Sequence, residues 1–205
     1  MSDLSPFVLV LAAGRSRRMG QPKALVPWEG CEALRWQRRL YAPFPARLLV
    51  VRPGAEWLTP ARAEGFVVRE NPLPEGGQLS SLQVGLALLA ELAPAGRPVL
   101  VTPVDCLGVQ PATLQRLVAP GLEAGCPARI PVCQDRPGHP VLLSASFQEL
   151  VRQADPARTS LRQLLAQLTP RPTLVAVDDP AILHNLNTPA ELAQAHRAAR
   201  EGEQG

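Results

Sequence analysis

The sequence predicts an α/β protein built around a mostly parallel β-sheet. Short apolar runs rich in valine and leucine alternate with segments of helical periodicity, which is the pattern of right-handed βαβ units. The first run is almost wholly apolar, as expected for a central parallel strand buried on both faces. Hydrophobic residues make up 46% of the 205 residues, which supplies enough core for one domain. We therefore predict a single domain over residues 1–200 and a frayed tail at 201–205.

The individual strands and helices are predicted from the periodicity of apolar residues. Pro111 is expected to start one helix, and Thr188 is expected to cap the last one. Pro60 is expected to interrupt a short helix over residues 56–64. The predicted strands are 7–13, 47–52, 66–69, 98–104, 128–132, 140–143 and 173–177, and the other predicted helices are 33–41, 78–92, 110–118, 147–153, 160–168 and 189–200.

A cationic loop follows the first strand. A buried strand fixes such a loop, a glycine lets backbone N–H groups approach a ligand, and the cations neutralise negative charge. The spacing of its two glycines fits neither a Walker A loop nor a dinucleotide-binding fingerprint. The loop indicates a site for a phosphate-rich ligand, with a solvated arginine-rich turn as the alternative. Residues 14–23 contain no acid and four basic residues, Arg15, Arg17, Arg18 and Lys23.

Asp105 comes directly after the predicted strand 98–104. Ligands of mostly parallel sheets bind at the carboxyl ends of the strands. Asp105 and the loop that begins at Gly14 are therefore expected to form one site. A carboxylate in this place is suited to hold Mg²⁺ in front of a triphosphate, whereas the alternative is a turn residue or a helix cap.

A glycine-led helix start is a second candidate for contact with the nucleotide. Gly77 precedes a predicted first turn that contains Ser80 and Ser81. Free N–H groups and hydroxyls at a helix start can bind a base edge or an anion. A plain serine-capped helix is the alternative.

Two segments in the second half carry polar side chains of interest. His139 lies in a turn before a short strand, where a packed turn residue is the alternative to a ligand contact. Asn185 and Asn187 precede the last helix, and an asparagine carbonyl oxygen can coordinate Mg²⁺.

Composition excludes several classes of protein. The formal charge of +3 is too small, and aromatic residues at 4% are too few, to indicate a nucleic-acid partner. The four cysteines form no C-x-x-C pair, so neither a zinc finger nor a disulfide framework is predicted. The first apolar segment has no basic residue before it and is too short for a signal peptide or a membrane span. A cytoplasmic protein without a membrane partner is expected.

Together these motifs resemble the molybdenum cofactor cytidylyltransferase group of the molybdopterin nucleotidyltransferase superfamily. The opening motif is typical of the superfamily, and the Gly-His-Pro motif points to the molybdopterin branch. Ala13 and Ser16 with Pro22-Lys23 resemble the cytidylyl type, whereas Asn185 and Asn187 resemble the guanylyl type. The resemblance runs along nearly the whole chain, through Leu11-Ala12-Ala13-Gly14, Asn71-Pro72, Ser80-Ser81-Leu82, Asp105, Gly138-His139-Pro140-Val141 and Asn187-Thr188-Pro189.

The resemblance implies a three-layer Rossmann-like nucleotidyltransferase fold. It also implies Mg²⁺-dependent transfer of CMP from CTP to the terminal phosphate of the molybdopterin cofactor, with release of pyrophosphate. Arg18, Lys23 and Asp105 would be catalytic, His139 would face the pterin substrate, and Asp105 and Asn187 would hold the metal. The nucleotide would be bound by Leu11, Ala12, Ala13, Gly14, Arg15, Ser16, Lys23, Gly77, Ser80 and Ser81.

Three other functions stay open at this point. The enzyme could use GTP, or it could act on a sugar phosphate. A protein of a different class, a non-catalytic binder of the molybdenum cofactor, would bind the pterin and release no pyrophosphate. For the enzyme, the expected partners are the nucleoside triphosphate and a molybdopterin-type phosphate, with transient contact to a molybdoenzyme or its chaperone.

Overall fold

The computed structural model describes residues 5–92, 96–119 and 125–202. Strands and helices alternate along most of this part of the chain. The strands are β1 (Phe7–Ala12), β2 (Pro27–Trp28), β3 (Cys31–Glu32), β4 (Arg47–Val51), β5 (Val67–Glu70), β6 (Val99–Pro103), β7 (Ala128–Cys133), β8 (Arg136–Pro137), β9 (Val141–Leu143) and β10 (Thr173–Ala176). The helices are α1 (Ala33–Leu40), α2 (Pro60–Ala63), α3 (Gly77–Leu92), α4 (Pro111–Val118), α5 (Ala145–Gln153), α6 (Leu161–Ala166) and α7 (Pro189–Gly202).

The central sheet has the strand order β10-β7-β9-β6-β1-β4-β5. β1 pairs in parallel with both β4 and β6, and β5 extends the parallel part at one edge. β9 runs antiparallel between β6 and β7. The predicted α/β fold with a mostly parallel central sheet is therefore confirmed.

Apolar side chains pack on both faces of the sheet. Leu9 of β1 belongs to a cluster with residues of α3 and α5, whereas Val8 and Val10 belong to a second cluster with residues of α1 and α4. Because both faces of β1 are covered by helices, its sequence shows no alternation of polar and apolar residues. None of the helices in the described ranges has the length and hydropathy needed to cross a membrane.

The predictions around Pro60 and at the end of the last helix differ from the structure. Pro60 begins α2 rather than interrupting a helix, because a proline at the first helical position loses no intrahelical hydrogen bond. The Thr59 side chain caps this helix by accepting a hydrogen bond from the Arg62 backbone N–H. At the other end of the chain, α7 continues through Gly202, whereas residues 203–205 of the predicted tail lie outside the described residues.

The start of α7 is fixed by a reciprocal cap. The Thr188 hydroxyl accepts a hydrogen bond from the Glu191 N–H, and the Glu191 carboxylate accepts from the Thr188 N–H. The Glu191 carboxylate also accepts from the Asn187 N–H, and this bond, together with those from Thr188, holds the pKa of Glu191 below its ordinary value. Further along α7, the His196 ring stacks on Trp28 with a centroid distance of 4.8 Å. α7 is thereby held at its first turn by the cap and near its middle by the contact with Trp28.

Gly138 lies where a hairpin end packs against the segment Pro180–Leu183. A Cβ atom at Gly138 would lie 2.3 Å from the Ile182 carbonyl oxygen. The neighbouring His139 N–H donates a hydrogen bond to that same oxygen. Glycine is therefore required here by packing within the chain.

We expect Gly138→Ala to lower the free energy of unfolding by about 1–3 kcal/mol, the usual cost of overpacking. Urea denaturation would measure the change. Gly14→Ala is the matched control, because a Cβ at Gly14 meets no atom within 4 Å. Equal stability of the two variants would contradict the tight contact with Ile182.

Candidate active site

The two sequence-predicted halves of the site lie at the same edge of the sheet. β1 and β6 are parallel neighbours, with Leu11 opposite Pro103. The Val104 N–H donates a hydrogen bond to the Leu11 carbonyl at 3.0 Å. Gly14 after β1 and Asp105 after β6 therefore both open into one cavity of about 800 Å³.

Most of the predicted nucleotide contacts line this cavity. Ser80 and His139 do not line it. The predicted residues on the cavity wall are Leu11, Ala12, Ala13, Gly14, Arg15, Ser16, Arg18, Lys23, Gly77, Ser81, Asp105 and Asn187.

The cationic loop is folded back on itself. Ser16 adopts a φ of 53°, and its hydroxyl accepts a hydrogen bond from the Lys23 backbone N–H at 3.1 Å. This bond brings the two ends of the segment between Ser16 and Lys23 together. The Lys23 backbone is thus fixed while its side chain extends into the cavity.

The Lys23 ammonium joins the two predicted metal ligands. Its Nζ lies 2.5 Å from Oδ2 of Asp105 and 2.7 Å from Oδ1 of Asn187. The Asn187 amide is oriented by its own Nδ2, which donates to the Asn185 carbonyl at 2.5 Å. The Asp105 carboxylate and the Asn187 carbonyl oxygen therefore converge on one cationic atom.

The donor set fits a hard divalent cation. Carboxylate and amide oxygens are the ligands that Mg²⁺ prefers, and the ion is commonly bound by one or two protein groups together with substrate phosphates. The ammonium stands at a point from which one cation contacts both oxygens. Among the described residues no group of three His, Cys, Asp or Glu side chains could hold a metal. A metal bound here would therefore take its remaining ligands from phosphates and water.

Arg15 is paired with an acid that the local sequence does not contain. Its Nη2 lies 2.5 Å from Oε1 of Glu75, and Arg52 donates to the same oxygen at 3.1 Å. Because Glu75 accepts these bonds, its pKa lies below the ordinary value. In the described ranges, Arg17 and Arg18 face the cavity without forming an ion pair. Residues 14–23 themselves contain no acid, as predicted, but the fold brings Glu75 into contact with Arg15 of this loop.

The space beside Gly14 is not filled by other atoms of the protein and is open to a ligand. A Cβ at this position would meet nothing within 4 Å, and its φ is not in the left-handed region. Gly20, in contrast, has a φ of 74°, so its glycine serves the turn itself.

We expect Gly14→Ala to leave the free energy of unfolding unchanged. The same substitution should raise the KM for the nucleotide about tenfold or more, because the added methyl group occupies space that a phosphate or sugar close to the backbone needs. Thermal denaturation and initial-rate kinetics would measure the two effects. An unchanged KM would show that no ligand approaches this glycine.

The Ser80 and Ser81 hydroxyls are engaged within the protein. Asn71 Nδ2 donates to both of them at 3.0 Å. In turn, Ser80 donates to the Leu73 or Gly77 carbonyl, and Ser81 donates to the Gly77 carbonyl. This network ties the loop after β5 to the first turn of α3. The Ser80 hydroxyl is therefore engaged within the chain and caps no helix N–H in the described ranges, while Ser81 also reaches the cavity wall.

His139 lies near Asp105 but behind the cavity wall. Burial lowers the pKa of its imidazole, and the Asp105 carboxylate opposes this shift. Its Nδ1 is buried and meets no hydrogen-bond partner in the described part of the chain. Contact of His139 with an acceptor substrate stays a prediction, and the cavity geometry does not support it.

Several cavity residues were not among the predicted site residues, and three of them carry polar or aromatic side chains that matter for a ligand. Arg52 and Trp57 follow β4, and Gln78 lies in the first turn of α3. β4 is the other parallel neighbour of β1. The rule that ligands bind at the carboxyl ends of strands would have found Arg52 if it had been applied to the second strand.

This fold, with a cationic loop and a carboxylate at adjacent strand ends, is that of a nucleotidyltransferase. The model of the MobA-like NTP transferase domain matches residues 8–182 of the chain. The chain therefore belongs to the MobA-like NTP transferase family, and the predicted superfamily is confirmed.

Relatives of known name or structure agree with this assignment. A molybdenum cofactor guanylyltransferase from Xanthomonas euvesicatoria pv. vesicatoria (strain 85-10) is 31% identical over 194 residues, which cover 89% of this chain and 90% of that protein. The crystal structure of molybdopterin-guanine dinucleotide biosynthesis protein A from Archaeoglobus fulgidus has a TM-score of 0.73 at 25% identity, covering 95% of this chain and 99% of that one.

A third relative has been solved with a divalent metal. The complex of Rv0371c from Mycobacterium tuberculosis H37Rv with manganese has a TM-score of 0.67 at 22% identity, covering 93% of this chain and 97% of that one. At this identity the likeness shows the common fold alone. The cytidylyl assignment is not decided by any of these relatives.

Proposed function

We propose that this enzyme transfers CMP from CTP to the terminal phosphate of a molybdopterin-type cofactor and releases pyrophosphate. The convergence of Lys23, Asp105 and Asn187 at one edge of the cavity carries the proposal. Membership of the MobA-like family supports the reaction class, and the name of the Xanthomonas relative supports the acceptor.

The charge along the cavity suggests how the nucleotide lies. Neighbouring strands are about 4.8 Å apart, so β6, β1 and β4 offer a row of strand ends long enough for a nucleotide. Lys23 and Arg18 provide positive charge near the ends of β6 and β1, whereas Glu75 neutralises Arg15 and Arg52 near β4. We propose that the triphosphate lies near the ends of β6 and β1 and that the base lies near the end of β4, towards Trp57 and Gln78.

No side-chain nucleophile is needed for this reaction. The acceptor phosphate is already ionised, so it can attack the α-phosphorus in line, and catalysis consists of positioning and charge neutralisation. Lys23 and Arg18 would stabilise the charge that grows on the departing pyrophosphate. Asp105 and Asn187 would hold Mg²⁺, which when bound supplies electrostatic stabilisation of the phosphates.

The choice of CTP rests on the first loop. Ala13 lines the cavity, and its methyl group takes up room where the guanylyl type has a glycine. A pyrimidine needs less room than a purine, so this methyl group favours CTP. GTP is the second candidate, favoured by Asn185 and Asn187 and by the guanylyltransferase from Xanthomonas.

The experiment compares nucleotides and acceptors while pyrophosphate is measured. Purified protein with Mg²⁺ is offered CTP, GTP, ATP or UTP, together with molybdenum cofactor or glucose 1-phosphate as acceptor. We expect pyrophosphate with CTP and the pterin acceptor. Preference for GTP would overturn the base assignment, and turnover with the sugar phosphate would overturn the acceptor.

The same experiment separates catalysis from simple binding of the cofactor. A non-catalytic binder would retain the pterin through gel filtration and release no pyrophosphate with any nucleotide. The Ala13→Gly variant adds a test of the base assignment, because it restores the space of the guanylyl type. We expect it to raise the kcat/KM for GTP relative to CTP.

A further inference from the structure

Lys23 is the only lysine in the sequence, and the other Lys/Arg residues, which bring the total to 21, are all arginines. An ammonium is a compact point charge on a flexible stem, whereas a guanidinium is a wide planar fork. A lysine is therefore needed where a guanidinium would be too wide and a compact cation must fit. The contacts of Lys23 identify such a position.

The Lys23 ammonium contacts the same two oxygens that a metal would use. It lies 2.5 Å from the Asp105 carboxylate and 2.7 Å from the Asn187 carbonyl oxygen. The side chain of Asp105 is 8% exposed and that of Lys23 is 18% exposed. The ammonium and a divalent cation cannot occupy this position together, because they would compete for one pair of oxygens and would repel each other.

We infer that Lys23 keeps the metal position closed in the free protein and that a triphosphate opens it by drawing the ammonium away. The inference rests on the proposed function, in which phosphates lie next to Lys23. The affinity for the metal then rises when the triphosphate is bound, and the affinity for the triphosphate rises by the same factor when the metal is bound.

The movement requires only the side chain. The Lys23 backbone is held by the Ser16 hydroxyl and begins the short turn Lys23–Leu25. Its four-carbon stem lines the cavity, so rotation about the side-chain bonds can carry Nζ from Asp105 to a phosphate oxygen. The carboxylate then exchanges one cationic partner for another and is never left alone in a poorly hydrated place.

Equilibrium dialysis against MnCl₂ tests the inference without measuring activity. In the absence of nucleotide, Lys23→Ala is expected to bind Mn²⁺ about tenfold more tightly than the wild-type protein, or more, because the competing charged hydrogen bonds are gone. Arg17→Ala is the matched control, since it removes the same charge from the same cavity wall but does not touch Asp105. Its effect on Mn²⁺ affinity should be clearly smaller.

A second measurement uses wild-type sequence and so does not depend on a variant that folds. Growth on ¹⁵N-lysine labels only Lys23, the single lysine of the sequence, and leaves its three N–H donors in place. We expect the Lys23 Nζ signal to shift when CTP and Mg²⁺ are added together, and not when Mg²⁺ is added alone.

The outcomes distinguish this inference from the proposed function. Tight Mn²⁺ binding by the nucleotide-free wild-type protein, equal to that of Lys23→Ala, would overturn the inference while pyrophosphate release could still confirm the reaction. Absence of pyrophosphate release together with Lys23-dependent exclusion of Mn²⁺ would overturn the proposed function alone. If Lys23→Ala and Arg17→Ala raised the Mn²⁺ affinity equally, the loss of one positive charge near the cavity would explain the effect. That result would also overturn the inference.

Discussion

Asp105→Asn is expected to lower kcat by about 10²–10³, the usual cost of removing one preorganised charge from an active site. The asparagine keeps the shape of the side chain and an oxygen that can accept from Lys23, whose Nζ lies 2.5 Å from the carboxylate. It removes the negative charge that would hold the metal in front of the phosphates. The loss should therefore fall on turnover rather than on folding.

Steady-state pyrophosphate release at saturating Mg²⁺ would measure this change, and circular dichroism would check the fold. Glu91→Gln is a suitable control, since Glu91 pairs with Arg69 on the surface and does not line the cavity. It should keep the wild-type rate. If Asp105→Asn also kept that rate, Asp105 would not be the metal ligand.

The position of the candidate site was predicted from the fold class alone. Once the apolar run before Gly14 and the run before Asp105 are taken as parallel strands, their carboxyl ends must lie at one edge of the sheet. The structure confirms that these strands, β1 and β6, are direct neighbours. The order of the strands was not needed for this step, because every parallel strand opens towards the same edge.

Contacts between distant segments could not be predicted in this way. Glu75 lies 60 residues from Arg15, and nothing in the local sequence shows that their side chains meet. The serines in the first turn of α3 carry hydroxyls that could bind a ligand equally well, and only the position of Asn71 shows that they are engaged. Charge and hydrogen-bonding capacity can be read from a sequence, but whether they are already satisfied depends on the tertiary structure.

The Gly-His-Pro segment illustrates a second limit. The motif supported the family assignment, but its glycine is needed where a Cβ would strike the Ile182 carbonyl oxygen. The histidine that follows is held behind the cavity wall by a backbone hydrogen bond to the same oxygen. A motif can therefore mark a family correctly while its residues serve packing, and sequence spacing alone does not separate these roles.

The direction of β9 was likewise not visible in the sequence. β9 has three residues, Val141–Leu143, all buried, and a short apolar run fits a parallel or an antiparallel strand equally well. Its antiparallel pairing with β6 and β7 depends on the preceding hairpin. This inversion leaves the parallel neighbours of β1 unchanged and so leaves the site intact.

Lys23→Arg is expected to lose nearly as much activity as Lys23→Ala, about 10²–10³ in kcat for the loss of the charge at its proper place. A guanidinium keeps the charge, but it prefers a bidentate pair with a carboxylate. At position 23 the partner within reach is Asp105, which is largely buried. The arginine would therefore remain on the metal ligand and would neither make room for the metal nor reach the phosphates.

Arg18→Lys is the matched control for this prediction, because it makes the reverse exchange in the same loop. Arg18 is exposed and faces the cavity without an ion pair in the described ranges, so a lysine there still presents its charge to the phosphates. We expect a much smaller loss in kcat than for Lys23→Arg, measured by pyrophosphate release at saturating CTP and Mg²⁺. A wild-type rate for Lys23→Arg would show that position 23 supplies only charge, and the single lysine of this chain would then need another explanation.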